Sequence, residues 1–242
     1  MAVVETILVV FDFDHTLIDV NSDTWILALK PDLKRLLQRR SGVCWTDLMN
    51  DVFAGLFDEG VGPEAIRQCV EKVPFHDDMK KTCSLLARAQ NINLLLISDA
   101  NRVFIDTILS AHGLDAAFDK IYTNPAEFDE SGRLRVSYHH THACKRCPKN
   151  LCKGTVLKDY LKDVSYAKKI YVGDGKGDVC PCLLLDSPTD YVLAKTGFPL
   201  LEILRDPDVG FKGNLVPWNT GTDVLEFVYK EILRTGAPGV RF

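Results

Sequence analysis

The chain has 242 residues, 46% of them hydrophobic and 26% charged, a balance that suits a globular protein with one sizeable core plus an insertion, or two small domains. A formal net charge of −4 and a pI near 5.9 leave no basic footprint for nucleic acid or an acidic membrane. No apolar run reaches the length of a membrane span and no basic leader precedes the first one, so neither a transmembrane helix nor a secretory signal is expected, and the cytoplasm is the default location.

The first element is the apolar run Thr6–Phe11, too short for a helix and without alternation, as in a parallel strand covered on both faces. It ends in Asp12 and Asp14, one residue apart. A buried, uncompensated carboxylate is very costly, so either the strand reaches solvent there or positive charge meets the acids. About 80 residues then separate this strand from the next, far more than an ordinary crossover needs. Within them Asp23–Gln38 reads as helix interrupted at Pro31, and Leu48, Val52, Phe53, Leu56 and Phe57 form a helical stripe. Ile66, Val70, Leu85 and Leu86 continue the helical character. Residues 20–89 are therefore expected to form a helical cap, and residues 1–19 with 90–242 the core.

Strand Ile92–Ile97 comes next, followed by a helix over Asn101–His112 that places Phe104, Ile105, Ile108 and Leu109 on one face and stops at Gly113. "FDESGRL" (Phe128–Leu134) reads as a hairpin turn. Helical patterns over Thr155–Leu161, Val179–Leu185, Leu200–Leu204 and Val224–Leu233 alternate with strands Lys169–Val172 and Tyr191–Ala194. Alternation of this kind predicts an open, parallel α/β sheet.

Ligands of such sheets bind at the carboxyl ends of the strands. Three of those ends carry polar groups: Asp12 and Asp14, then Ser98 and Asp99, then Asp174 and Asp178 in "VGDGKGD". Lys153 precedes a helix that leads to the third of these strands, although Lys145, Lys149 and Lys158 compete for its role. Like charges about 4 Å apart repel by roughly 4 kcal/mol per pair at an effective dielectric near 20, so a divalent cation is the simplest way to hold these acids together. Oxygen-only ligands favour Mg²⁺ with a substrate phosphate. A carboxylate can then accept a phosphoryl group while a neighbouring acid handles the leaving-group and water protons.

"DFDHT", "ISDAN", "CKG" and "GDGKGD", in that order, resemble the four motifs of the haloacid dehalogenase superfamily. With "NSDTW", "CPKNLCKG" and "YVGDGKGDVCP", most of the chain resembles the phosphoethanolamine/phosphocholine phosphatase family. The resemblance implies a Rossmann-like core, a helical cap after the first strand, and Mg²⁺-dependent hydrolysis of phosphomonoesters. By position it implies Asp12 as nucleophile, Asp14 as general acid and base, Ser98 on the phosphate, and Lys153 screening charge. It assigns Mg²⁺ to Asp12, the backbone carbonyl of Asp14 and Asp174, with Asp178 behind them. It also sets Asp23 and Asp99 against a cationic group of the substrate, with Trp25 or cap phenylalanines free to add cation–π contact. Phosphoethanolamine, phosphocholine and thiamine monophosphate fit that pattern; pyridoxal phosphate, pyrophosphate and phosphotransfer to another acceptor stay open. The plainer reading puts Asp23 in a helix first turn and leaves Asp99 orienting its loop.

The segment "SYHHTHACKRCPKNLCK" stands apart. His142, Cys144, Cys147 and Cys152 have a spacing that suits a structural zinc ion, which would pin the loop carrying Lys153. Buried thiols without metal are the simpler alternative, and Cys180 with Cys182 read as helix packing. A rival of another class follows from this cluster: a non-catalytic, zinc-stabilised interaction module.

Overall fold

The computed structural model describes residues 6–40 and 42–233, without the side chains of residues 39 and 40. The run Ile-Leu-Val-Val-Phe forms strand β1 (Ile7–Phe11), whose side chains alternate between two covered faces: Val9 and Phe11 enter one core, Leu8 and Val10 the other. Burial on both faces is why the sequence there shows no polar alternation. The insertion follows, with α1 (Ser22–Trp25) capped by the Asn21 side chain, then α2 (Trp45–Asp58), α3 (Pro63–Val70) and α4 (Asp77–Ala87). Next come β2 (Ile92–Asn101), α5 (Arg102–Ala111), β3 (Lys120–Asn124) and the hairpin of β4 (Ala126–Phe128) and β5 (Leu134–Val136). The chain continues through α6 (Lys153–Tyr160), β6 (Lys168–Gly173), α7 (Val179–Cys182), β7 (Tyr191–Lys195), α8 (Pro199–Arg205), β8 (Asn214–Trp218) and α9 (Gly221–Val228).

Six strands make one parallel sheet in the order β3-β2-β1-β6-β7-β8. The winding direction reverses between β1 and β6, and in doubly wound sheets the crevice at that reversal receives the ligand. Phe11 pairs with Leu96 of β2 and Val172 of β6, so Asp12, Ser98 and Asp174 all lie just beyond one edge. The fold is the expected α/β, Rossmann-like arrangement with helices inserted after the first strand.

Several elements differ from the sequence reading. The interruption expected at Pro31 within Asp23–Gln38 is present, but the flanks are not regular α-helix: α1 is a single turn, followed by 3-10 segments at Ile26–Ala28 and Pro31–Arg40. Pro31 lacks an amide proton and the chain restarts at it. The helix expected over Val179–Leu185 ends at Cys182, and α6 begins two residues before Thr155. Strands β3 and β8 were not foreseen. Both are sheet edges, and β8 carries Pro217, which an edge tolerates and a central strand does not. The hairpin at Phe128–Leu134 is present, with Asp129 accepting from the amides of Ser131 and Arg133 and Gly132 in the left-handed region. Asn50 of α2 both donates to the Val136 carbonyl and accepts from its amide, tying the hairpin to the inserted helices.

Helix α4 falls within the segment expected as cap yet packs against α9 and β2, beside the sheet. Residues 1–5 and 234–242 of the expected core lie outside the described residues. Among the described residues no helix is long and apolar enough to cross a membrane.

Candidate active site

Pairing of β1 with β6 continues to the first acid, because the Asp12 amide donates to the Val172 carbonyl at 3.0 Å. Asp12 Oδ1 accepts from its neighbour's amide, Phe13 N, at 2.6 Å and meets Lys153 Nζ at 2.6 Å. The chain then turns sharply at His15, whose φ of 57° is uncommon for a residue with a side chain. Lys195 holds that turn: its Nζ donates to the His15 carbonyl at 2.6 Å, pairs with Asp19 at 3.0 Å, and lies 4.9 Å from the centre of the Trp218 ring. Beyond the turn, the Thr16 hydroxyl donates to Asp174 Oδ1 at 3.3 Å. Asp14 faces the inserted helices instead, accepting from Asn21 Nδ2 at 2.9 Å and from the Ser22 amide at 3.0 Å.

Asp178 organises the opposite side. One oxygen accepts from Lys153 Nζ at 2.8 Å and from the Tyr171 hydroxyl at 2.7 Å; the other accepts from the amides of Asp174 and Gly175 at 3.1 and 2.9 Å. With four donors already on it, this carboxylate shapes the loop. Asp12, Asp174 and Asp178 each offer an oxygen within 4.8 Å of the others, and all three are buried. Lys153 is buried among them, whereas Lys145, Lys149 and Lys158 are exposed. Ser98 is fully buried at the same edge, its Oγ accepting from the Ala100 amide.

Burial governs the electrostatics. It pushes the Asp12 carboxyl well above the usual range, reinforced by Asp178 and opposed by Lys153. Burial likewise raises Asp14 well above the ordinary value, helped by the negative charge of Asp23 and opposed by the Ser22 amide. Asp174 is pushed up to about 7 by desolvation and by Asp178. For Lys153 burial favours the neutral amine, but Asp12 and Asp178 overcome it and hold the ammonium above its ordinary pKa. Three clustered carboxylates facing one lysine, with hard oxygen donors only, fit a small divalent cation such as Mg²⁺.

A cleft of about 780 Å³ opens beside Asp14. Its wall includes His15, Asp19, Asp23, Trp45 and Asp99. Asp23 is buried, accepting from Trp45 Nε1 at 2.7 Å and Asn101 Nδ2 at 3.4 Å, and burial raises its carboxyl to about 6. Asp99 is half-buried, its carbonyl held by Asn124. The structure thus brings Asp23 and Asp99 to the cleft that Asp14 lines. Trp25 faces elsewhere, donating to the Cys69 carbonyl, and Phe53 packs edge-on against Phe104 in the core; the aromatic wall is Trp45.

The expected zinc set is altered. His142 is engaged by backbone on both nitrogens, Nε2 with the Pro148 carbonyl and Nδ1 with the Cys144 amide. Cys180, expected to pack in a helix, instead joins Cys144, Cys147 and Cys152, while Cys182 is buried against the sheet as expected. Sequence reasoning also missed Lys195 and Trp45. Lys195 had a signal, being a charge at the end of an apolar strand like Asp12; Trp45 had none, since only the fold carries it to Asp23.

The Putative Phosphatase family matches residues 7–232. The chain belongs to that family. Pyridoxal phosphate phosphatase PHOSPHO2 of Rattus norvegicus is 39% identical over 231 residues, covering 90% of this chain and 95% of that protein. Inorganic pyrophosphatase 2 of Arabidopsis thaliana is 36% identical, covering 96% of this chain and 86% of its own. A solved phosphoserine phosphatase, a phospho-aspartyl intermediate analogue, superposes with a TM-score of 0.59 at 14% identity, over 92% of this chain and 99% of that one. The haloacid dehalogenase resemblance read from the four motifs is borne out, and this phosphatase is a phosphomonoester hydrolase. That sets aside the reading of the chain as a non-catalytic zinc module.

Proposed function

We propose that this phosphatase hydrolyses small phosphomonoesters bearing a cationic group, with Asp12 as the nucleophile and an aspartyl phosphate between its two half-reactions. A single arrangement carries the proposal: Asp12 sits against Lys153 at the reversal of the sheet, and the neighbouring Asp14 faces a cleft walled by Asp23, Asp99 and Trp45. Ser98 and Lys153 bind the phosphoryl oxygens. An Asp12 oxygen attacks phosphorus, the bond from phosphorus to the ester oxygen breaks, and Asp14 gives its proton to that leaving oxygen. The raised pKa of Asp14 supports its holding a proton before the first step. Asp14, now a carboxylate, takes a proton from water as the water oxygen attacks phosphorus, releasing inorganic phosphate and restoring Asp12. Magnesium, when bound, would be held by Asp12, the Asp14 carbonyl and Asp174 with Asp178 behind them, and would supply the charge that keeps Asp12 ionised and screens the phosphate.

The acidic wall supports a cation on the substrate, because further carboxylates beside a phosphate dianion otherwise only repel it. An ammonium, a thiazolium or a protonated pyridinium meets the same wall, so phosphoethanolamine, phosphocholine, thiamine monophosphate and pyridoxal phosphate are the candidates, the last also the substrate named for the PHOSPHO2 relative. Pyrophosphate brings negative charge alone and is disfavoured by Asp19, Asp23 and Asp99. Phosphate release across these five compounds and a neutral ester tests the reading, wild type against Asp12→Asn. Preference for the cationic esters, abolished in the variant, is expected; faster release from pyrophosphate or from the neutral ester would overturn the substrate class.

A further inference from the structure

Outside the catalytic cluster, four thiols from three separate chain positions converge. Cys144 and Cys147 form a C-x₂-C turn, Cys152 caps α6, and Cys180 lies in the first turn of α7. Their sulfurs all fall within 4.8 Å of one another, with Cys180 Sγ 3.7 Å from Cys144 Sγ and 3.5 Å from Cys147 Sγ. None is in a disulfide. Four thiolates around a tetrahedral zinc at 2.3 Å place their sulfurs about 3.8 Å apart, close to the 3.7 and 3.5 Å that Cys180 keeps from Cys144 and Cys147. Nothing in the phosphatase chemistry uses these groups.

We propose that Cys144, Cys147, Cys152 and Cys180 form a structural four-thiolate zinc site that fastens the loop before α6 to the start of α7. Soft sulfur donors in this geometry select zinc over the magnesium suited to the oxygen cluster nearby. The surroundings are built for it. A Cβ on Gly154 would lie 2.7 Å from Cys180 Cβ and 2.9 Å from its carbonyl carbon, so only glycine lets α6 approach Cys180 this closely. The Cys152 amide donates to His140 Nε2 at 3.1 Å, and Cys152 Sγ accepts from the Thr155 amide at 3.4 Å, a bond suited to a thiolate. Exposed Lys145, Arg146 and Lys149 in the same loop offset the two negative charges of a zinc tetrathiolate. The site has a mechanical consequence: Cys152 directly precedes Lys153, Cys180 is two residues past Asp178, and zinc thereby braces both sides of the 2.8 Å Lys153–Asp178 pair.

The test is metal analysis of the full-length protein, purified without chelator, together with X-ray absorption at the zinc edge. About one zinc per chain is expected, coordinated by four sulfurs at about 2.3 Å. Cys147→Ser should lose zinc in a chelator wash that leaves wild type and Cys69→Ser loaded, and cobalt substituted into wild type should show intense thiolate-to-metal charge transfer. Absence of zinc from protein expressed with added zinc, iron in its place, an oxygen-only shell or a sulfur–nitrogen shell would each overturn the assignment. So would full retention by Cys147→Ser. Should that variant not fold, the wild-type coordination shell still decides the question.

Discussion

Lys153 Nζ lies 2.6 Å from Asp12 Oδ1 at the point where the sheet changes its winding direction, with both side chains buried. The same ammonium reaches Asp178 at 2.8 Å. One buried cation thus serves two buried acids, and removing it leaves both facing each other with hydrogen-bond donors but without that ammonium. Lys153→Met is expected to abolish turnover and to destabilise the metal-free protein by about 3–5 kcal/mol in denaturant titration. Adding Asp178→Asn should recover part of that stability without restoring turnover. An unchanged denaturation midpoint for the single variant would show that the pair contributes nothing to the fold.

Asp14 supplies a different kind of step. Asp14→Asn keeps the acceptor for the Ser22 amide but cannot carry a proton, so kcat should fall about 10²–10⁴-fold. The loss should be smallest for an aryl phosphate, whose leaving group needs no proton. Equal losses on aryl and alkyl esters would contradict the acid role.

Asp23 links stability and selectivity through its titration. Its carboxyl is neutral below about pH 6 and anionic above, set by burial, the Trp45 and Asn101 hydrogen bonds and the charge of Asp99, with Asp14 also facing it. The preference for a cationic ester over a neutral one, as a ratio of kcat/KM, should rise as pH climbs through about 6, and Asp23→Asn should flatten it. Comparing two alkyl esters of matched leaving-group basicity cancels the titration of Asp14. Because the folded pKa is raised, the charged form opposes folding above the unfolded pKa near 3.8, most strongly above about 6. Asp23→Asn should therefore be on the order of 2–3 kcal/mol more stable than wild type at pH 7, and the gap should close as pH falls toward 4. A pH-independent gap would refute the linkage.

Lys195 acts through the backbone. Lys195→Met removes the donor to the His15 carbonyl, loosening the turn between Asp12 and Thr16, whose hydroxyl donates to Asp174. We expect kcat to fall about 10- to 100-fold with KM little changed. A change confined to KM would place Lys195 on the substrate side instead.

The central strands and the acids at their ends were legible because burial on both faces leaves uninterrupted apolar runs, against which Asp12, Ser98 and Asp174 stand out. The hairpin was legible in its turn residues. Edge strands β3 and β8 were not, since pairing on one side tolerates polar residues and Pro217. Cap geometry was hidden for another reason: the helix that Asn21 caps lasts one turn and the chain restarts at Pro31, and only tertiary packing decides what lies between. The exchange of Trp25 for Trp45, and of His142 for Cys180, has the same origin, as each partner is distant in the chain and no spacing announces it.

Chelation offers an independent check on the acid cluster. A chelator should stop phosphate release and excess Mg²⁺ should restore it in wild type, whereas Asp174→Asn should need far more Mg²⁺ for half-maximal rate. Full activity in chelator would remove the metal from the mechanism.

The most direct measurement is an acid quench during turnover of a radiolabelled phosphomonoester, with the trapped phosphate mapped by mass spectrometry. Asp12 should carry it as a hydroxylamine-sensitive acyl phosphate, absent from Asp12→Asn. Label on another residue, or none at any time during turnover, would contradict Asp12 as the nucleophile.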